Sequence, residues 1–272
     1  MAHLIVQADD VGITRAATLG TIDSIADGIV RNAGLFTNRP DSAFAAQRLR
    51  EFDHIDVGID INLVTGEPVL PAADVAKLVD SQGRFRSSGS IRSTYPLVRQ
   101  KGLYSFFETD PFDYDQSLAE ARTQVERFGE LMGRAPAYIH HHSVVSQVID
   151  EVLHEVAAEF GLLVMDDLHR FGKVPLIENH WYRGSSRLEA QAEGDPLADL
   201  ESLVTTIAGH DLALLILHPG YMDAELLGIT TMTLSRVRDV ALATSREFAD
   251  LLQATGIELV SYSEIVGDLD AG

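Results

Sequence analysis

Short apolar runs alternate with amphipathic stretches along almost the whole chain. "LIVQA" (4–8) predicts a strand, and "TRAATLGTIDSIADGIV" (14–30), with apolar residues at helical spacing, predicts a helix directly after it. The same order repeats in further predicted strands at 32–38, 55–63, 137–145, 162–167, 211–220 and 257–265. The helices predicted between them lie at 40–52, 113–133, 148–161, 196–209 and 234–256. Repeated strand–helix units indicate an α/β fold with parallel strands.

About seven predicted strands in 272 residues favour one distorted, closed or nearly closed (β/α) TIM-like barrel over an open sheet with two domains. No low-complexity linker divides the chain, so we expect a single domain over residues 1–272. Segment 65–110 is irregular and is expected to serve as a lid or as an oligomer contact, for example in a homodimer. A second irregular stretch holds Trp181 and Tyr182, an aromatic pair that either packs within the loop or stacks on a bound ligand.

The composition narrows the partners that the protein could bind. Asp and Glu number 41 against 21 Lys and Arg, a formal net charge of -20, which disfavours nucleic acid and anionic membrane surfaces. The chain has no cysteine, so disulfides and thiolate metal sites are excluded and a metal must be held by His, Asp, Glu or Asn. The start "MAHLIVQADD" does not have the pattern of a signal peptide, and no window has the apolar length of a membrane span. We therefore expect a soluble, cytoplasmic protein.

The first predicted strand ends in two adjacent carboxylates, Asp9 and Asp10. One of them could cap the following helix, but a cap needs only one acceptor. A cation would relieve the repulsion between the two, so the pair is a candidate metal site.

Three other strands also end in side chains that can carry chemistry. Asp60 and Asn62 lie two apart and point the same way, although Asp60 could instead occupy a surface position on an edge strand. His140 and His142 would share one face of their strand, and His218 precedes a rigid Pro-Gly turn. Since a barrel brings the carboxyl ends of its strands to one rim, these groups predict a common metal-dependent site.

The order of the motifs "ADDVG", "VGIDINLVTGEPV", "PAYIHHHSVV", "LILHPGYMD" and "SRVRDVALATS" resembles the YdjC-like (ChbG/HpnK-type) carbohydrate deacetylase family. The resemblance runs from the first strand to the last long helix. It implies a distorted TIM-like barrel that binds one divalent metal ion. It also implies a small-molecule substrate, an N-acetylated sugar such as a chitooligosaccharide, from which the enzyme removes acetyl groups.

The resemblance further implies roles for individual residues. Asp9 would be the general base, and Asp10 and His142 would be metal ligands. His218 would be the acid or a group that orients the substrate. Arg238 falls where the family has an arginine that positions a catalytic carboxylate.

Two positions depart from the family pattern. Asp60 stands where the family has a metal-binding histidine in "GLHLNL", and His140 stands at the aspartate of "IDSHQHVH". Val144 and Ser146 replace two later histidines of that motif. With Asp60 as the third ligand, we expect the metal preference to shift from zinc towards magnesium, manganese or calcium. The expected cofactor is one divalent metal ion, with Mg, Zn and Mn as the candidates. The alternatives are a catalytically altered carbohydrate-binding barrel and another metallohydrolase on the same fold.

Overall fold

A computed structural model describes residues 2–101, 104–170, 174–182 and 187–269. Its main sheet has seven parallel strands, β1 (Ala2–Val11), β2 (Asn32–Leu35), β3 (Asp56–Ile61), β6 (Tyr138–His141), β7 (Leu163–Val164), β8 (Leu212–Leu217) and β9 (Ile257–Val260). A separate antiparallel hairpin comprises β4 (Leu97–Lys101) and β5 (Tyr104–Phe107). The α/β fold with a parallel sheet is the one that the alternation of strands and helices predicts.

The sheet order is β7-β6-β3-β2-β1-β8, so β1 lies between β2 and the terminal strand β8. The amino-terminal part of β1 pairs with β9, and its carboxyl-terminal part pairs with β2. Within the described ranges no pairing joins β7 to β8, so the curled sheet forms a half-barrel rather than a closed ring. All carboxyl ends of these strands still face one rim, because every pairing in the main sheet is parallel.

The strands are connected by helices whose ends follow local sequence signals. The longest, α4 (Tyr114–Met132), begins after Asp113, whose side chain accepts from the Gln116 N–H, and ends at the left-handed Gly133. The other longer helices are α1 (Arg15–Ala26), α2 (Ser42–Leu49), α5 (Gln147–Phe160), α8 (Leu200–Ala208), α10 (Leu234–Ala243) and α11 (Arg246–Thr255). Shorter helices are α3 (Ser88–Thr94), α6 (Asp166–Arg170), α7 (Leu188–Glu193), α9 (Ala224–Ile229) and α12 (Tyr262–Leu269), besides a 3-10 turn at His180–Tyr182. Among the described residues, no helix combines the length and the apolar character needed to span a membrane.

Two predicted elements are shorter in the structure than the sequence pattern indicates. The helix predicted over 234–256 is two helices, since Ser245 caps α11 through the Phe248 N–H. The strand predicted over 162–167 ends at Val164, because Asp166 already belongs to α6. The irregular segment 65–110 contains α3 and most of the β4–β5 hairpin.

Close backbone packing holds the β8 turn against α1. A Cβ on Gly20 would lie 2.6 Å from Gly220 Cα, so only glycine allows α1 to approach this turn. The Thr21 hydroxyl donates to the Pro219 carbonyl at 2.8 Å. These contacts fix the position of His218, the residue that immediately follows β8 at the rim.

Candidate active site

A break in the backbone at the end of β1 explains how two adjacent aspartates reach the same rim. Neighbouring side chains of a regular strand point to opposite faces. Asp10 has a φ of +66°, and the pairing of β1 with β2 shifts register between Ala8 and Val11. The left-handed conformation is one that aspartate tolerates better than most residues, and it interrupts the alternation. Asp9 and Asp10 therefore lie beside different partners at one end of the sheet.

Asp9, Asp60 and His140 form a compact buried group. One donor atom of each lies within 4.8 Å of the others, and all three side chains are at most 7% exposed. His140 Nδ1 lies 3.5 Å from both Asp9 Oδ2 and Asp60 Oδ1. Asp60 and His140 face each other directly in the β3–β6 register. Three potential metal ligands thus converge from β1, β3 and β6, with β2 lying between β1 and β3.

The carboxylate of Asp60 occupies space that glycine leaves open. A Cβ on Gly34 of β2 would lie only 2.0 Å from Asp60 Oδ1. The second oxygen, Oδ2, accepts from the Asp10 backbone N–H at 2.8 Å. In the described part of the chain, Asp60 Oδ1 and His140 Nδ1 have no hydrogen-bond partner although both are buried. Buried polar atoms without a partner are uncommon, so the group has spare capacity for a ligand.

Burial and mutual charge set the protonation of this group. Burial raises the pKa of Asp9 well above its ordinary value, with Asp60 and Asp10 adding to the rise, although His140 opposes it. Burial alone would lower the pKa of His140, but the carboxylates of Asp166, Asp9 and Asp60 raise it to about 10. In the absence of a metal ion, the cluster therefore keeps protons that balance its carboxylates.

Asp10 belongs to a neighbouring set of contacts. Its Oδ1 lies 2.7 Å from His142 Nδ1, and its Oδ2 accepts from the Arg236 guanidinium at 2.5 Å. Arg236 is 3% exposed and reaches the rim from α10. Although burial would raise the pKa of Asp10, His142 and Arg236 lower it well below the usual range. Asp10 is therefore a fixed anion that holds the His142 ring, which packs edge-on against Phe36.

His218 lies in a third set, with Tyr182 and Asp239. Its Nδ1 is 3.2 Å from the Tyr182 hydroxyl, and its backbone N–H donates to Asp239 Oδ2 at 2.7 Å. Tyr182 donates to the same carboxylate oxygen, while the Trp181 indole N–H donates to Oδ1 at 2.7 Å. Burial lowers the pKa of His218 to about 4. The charge of Arg236 lowers this pKa further, whereas the charge of Asp10 raises it. The ring is consequently neutral at neutral pH.

A polar cleft of about 800 Å³ adjoins the rim. The loops that follow β2 and β3 form one wall, and α9 contributes to another. Its polar lining includes Asn38, Arg39, Thr65, Glu67, Arg86 and Arg127. Asn62, just beyond β3, connects this wall to the rim by donating to Asn38 Oδ1 at 2.9 Å and to the Thr65 carbonyl at 2.8 Å.

Comparison with known proteins decides the family. The sequence model of the family described as YdjC-like protein matches residues 3–254. The chain belongs to the YdjC-like protein family. The family resemblance of the sequence motifs is thereby confirmed.

Curated relatives of this YdjC-like chain cover nearly all of it. A carbohydrate deacetylase from Listeria monocytogenes serotype 4a (strain HCC23) is 27% identical over 270 residues, which is 96% of this chain and 99% of the relative. A carbohydrate deacetylase from Clostridium beijerinckii is 26% identical over 271 residues, with 97% and 100% covered. A crystal structure from Enterococcus faecalis V583, provisionally described as a cellobiose-phosphate cleavage protein, superposes with a TM-score of 0.76. It shares 21% identity over 97% of this chain and 98% of its own, and it confirms the barrel-type fold.

The YdjC-like site differs in arrangement from the one that the sequence predicts. Asp10, Asp60 and His142 do not form a single donor group in the described ranges; only Asp60 lies in a compact group, together with Asp9 and His140. The reason is that Asp10 directs its two oxygens to His142 and to the arginine of α10.

The arginine beside Asp10 is Arg236, whereas the predicted Arg238 lies on the other side of α10. Arg238 is 38% exposed and donates to the Ala192 carbonyl at 3.0 Å, with Asp195 3.9 Å away. Residues two apart on a helix point to nearly opposite sides, so only one of the two arginines can reach the rim. The apolar spacing of α10 could have indicated which one lies on the buried side, since Val240 and Ala243, four and seven residues after Arg236, share that side.

Three further residues contact the candidate site but are not among those predicted from the sequence, namely Tyr182, Asp239 and Asp166. Tyr182 lies in a loop without periodicity, and Asp239 lies in the middle of a helix, so neither is at a strand end. Asp166 is 1% exposed and contacts the β6 histidines. The adjacent acidic pair in "LVMDD" is the sequence signal that could have identified it.

Proposed function

We propose that this protein hydrolyses the acetamide group of an N-acetylated sugar with the help of one divalent metal ion. The observation that carries the proposal is the buried group of Asp9, Asp60 and His140 at the rim, in which Asp60 Oδ1 and His140 Nδ1 lack hydrogen-bond partners among the described residues. The curated relatives named carbohydrate deacetylase support the reaction class.

The donor group fits a metal ion in spacing and in chemistry. The 3.5 Å separations between His140 Nδ1 and the two carboxylate oxygens are close to the distance between two ligands of one tetrahedral zinc ion, about 3.4 Å for bonds of about 2.1 Å. Two carboxylates and one imidazole suit zinc, manganese or magnesium. When bound, such an ion polarises the acetyl carbonyl and lowers the pKa of a bound water. We therefore assign Asp9 to the ligand set rather than to the role of general base.

The Asp10–His142 pair is placed to move the proton. Asp10 accepts from His142 Nδ1, which leaves Nε2 as the acceptor of the ring. His142 is 15% exposed, whereas Asp10 is 2% exposed, so the imidazole is the member that faces the mouth of the site. We assign Nε2 of His142 to accept the proton of the attacking water and then to donate it to the departing amine nitrogen. Arg236 keeps Asp10 ionised and thereby maintains the orientation of the ring.

His218 is better suited to orienting the substrate than to protonating it. A ring with a pKa of about 4 holds no extra proton at neutral pH. Because Tyr182 donates its hydroxyl proton to Asp239, its oxygen can accept from His218 Nδ1–H, and Nε2 of His218 is left to accept from a sugar hydroxyl. The adjoining polar cleft of about 800 Å³ supplies further hydrogen-bonding groups for a saccharide.

Metal content and turnover of matched variants test this assignment. Purified protein is stripped with chelator, reloaded with Zn²⁺, Mn²⁺ or Mg²⁺, and assayed for acetate release from chitooligosaccharides. Asp9→Asn and Asp60→Asn are expected to lose the catalytic ion, one bound ion per chain, together with activity. His142→Gln is expected to keep the ion and lose at least 100-fold in kcat, because only the proton acceptor is removed.

The same experiment distinguishes the competing assignments. Loss of the ion in His142→Gln, together with retention in Asp9→Asn, would restore the ligand set predicted from the sequence. Sugar binding without acetate release under every metal would instead identify a carbohydrate-binding protein and overturn the proposal. Asp167→Asn, on α6 and bonded to His154, serves as the control and should behave like the wild type.

A further inference from the structure

A second group of metal-binding side chains lies on the other side of His140. His140, His141 and Asp166 each offer a donor atom within 4.8 Å of the others, and all three are buried. His141 Nδ1 lies 2.8 Å from Asp166 Oδ2, and His140 Nε2 lies 3.5 Å from Asp166 Oδ1. The group combines the end of β6 with the first residue of α6.

The carboxylate of Asp166 has unused bonding capacity that points into this group. Asp166 is 1% exposed, and within the described ranges its Oδ1 has no hydrogen-bond partner. A fully buried carboxylate oxygen without a donor is costly, unless a cation or an unseen donor contacts it. His140 Nε2 lies 3.5 Å from this oxygen, which is the spacing of two ligands that share an ion.

The ring of His140 connects the two groups because its two nitrogens face opposite ways. Nδ1 faces Asp9 and Asp60, and Nε2 faces Asp166. An imidazole can therefore coordinate a different ion through each nitrogen, provided that both ring protons leave to solvent. Two ions bound in this manner would be held by five buried side chains, namely Asp9, Asp60, His140, His141 and Asp166.

We propose that His140, His141 and Asp166 form a second cation site, for a transition-metal ion of the zinc class, which shares the His140 ring with the proposed catalytic ion. Two imidazoles and one carboxylate form a set that prefers zinc, cobalt or nickel to magnesium, and three protein ligands leave a position for water. The site does not depend on deacetylation.

Metal stoichiometry tests the second site without reference to activity. The full-length protein is titrated with Zn²⁺ and with Co²⁺, and bound metal is measured by elemental analysis after desalting. The wild type is expected to bind two ions per chain. Asp166→Asn and His141→Gln are expected to bind one, and Asp60→Asn is also expected to bind one. Asp167→Asn is the matched control on the same helix and should bind two.

Each outcome bears on one site separately. One ion in the wild type, retained in Asp166→Asn and lost in Asp60→Asn, would overturn the second site and leave the proposed function intact. One ion lost in Asp166→Asn but retained in Asp60→Asn would support this site and overturn the proposed catalytic one. No ion in any protein would overturn both. Anomalous diffraction at the zinc edge from wild-type crystals locates the ions directly, so the test holds even if a variant fails to fold.

Discussion

Replacement of Arg236 by methionine is the most direct test of the buried ion pair between Arg236 and Asp10. The guanidinium is 3% exposed and its contact with Asp10 is buried on both sides. Methionine keeps most of the length of the side chain but removes the charge, so Asp10 loses its cationic partner. Arg238→Met is the matched control, because it removes the same group two residues later, where the side chain is 38% exposed.

The size of the effect follows from the geometry. Removal of one partner of a buried ion pair costs about 3–5 kcal/mol. His142 remains 2.7 Å from Asp10 Oδ1 and compensates in part, so we expect about 3 kcal/mol for Arg236→Met. For a chain of this size that loss lowers Tm by about 6–12 °C. The exposed contact of Arg238 predicts a change within about 0.5 kcal/mol.

Urea unfolding followed by circular dichroism, at pH 7 and at pH 3, measures both variants. The pKa of Asp10 in the folded protein lies below its unfolded value, so its ionised form stabilises the fold above about pH 4, and this contribution is lost as the pH falls further. The gap between wild type and Arg236→Met should therefore narrow at pH 3. Equal stability of the two variants at pH 7, or a gap that widens on acidification, would show that the Arg236–Asp10 pair is not what holds this rim.

Three further changes test other parts of the site. Gly34→Ala places a methyl group 2.0 Å from Asp60 Oδ1 and should lower metal affinity at least tenfold in a metal titration. The control, Gly129→Ala, has no other atom within 4 Å of the new Cβ, so it should leave metal affinity unchanged and stabilise α4 by about 0.5–1 kcal/mol. Equal metal affinities of the two variants would contradict this prediction. Burial raises the pKa of Asp239 to about 6, so its contribution to stability is present below about pH 4 and is lost as the pH rises through 6. The wild type should consequently lose about 3 kcal/mol relative to Asp239→Asn between pH 4 and pH 7 in denaturant titrations, and parallel profiles would refute the assignment. Tyr182→Phe removes the hydroxyl beside His218 Nδ1 and should lower kcat/KM for acetate release about tenfold, the equivalent of one hydrogen bond. An unchanged kcat/KM would show that Tyr182 and His218 do not contribute to the reaction.

Much of the fold and the location of the site follow from the sequence. Apolar periodicity predicts the strands and helices, and the alternation between them predicts a parallel sheet whose carboxyl ends share a rim. Asp9, Asp10, Asp60, His140, His142 and His218 all follow or end predicted strands, and the structure places each of them at or beside that rim. Strand ends can be recognised locally, so the rim could be predicted without coordinates.

The partners of these side chains were decided only by the tertiary structure. The left-handed φ of Asp10 turns it away from the donor group, and this conformation depends on how β1 pairs with its neighbours. Arg236 rather than Arg238 reaches Asp10 because of the rotation of α10 about its axis, which packing against the barrel sets. The group of Asp9, Asp60 and His140 likewise depends on the register of β3 and β6. A sequence lists which side chains can bind or move protons, but distances of 3 Å between residues far apart in the chain arise only when the sheet and its helices pack.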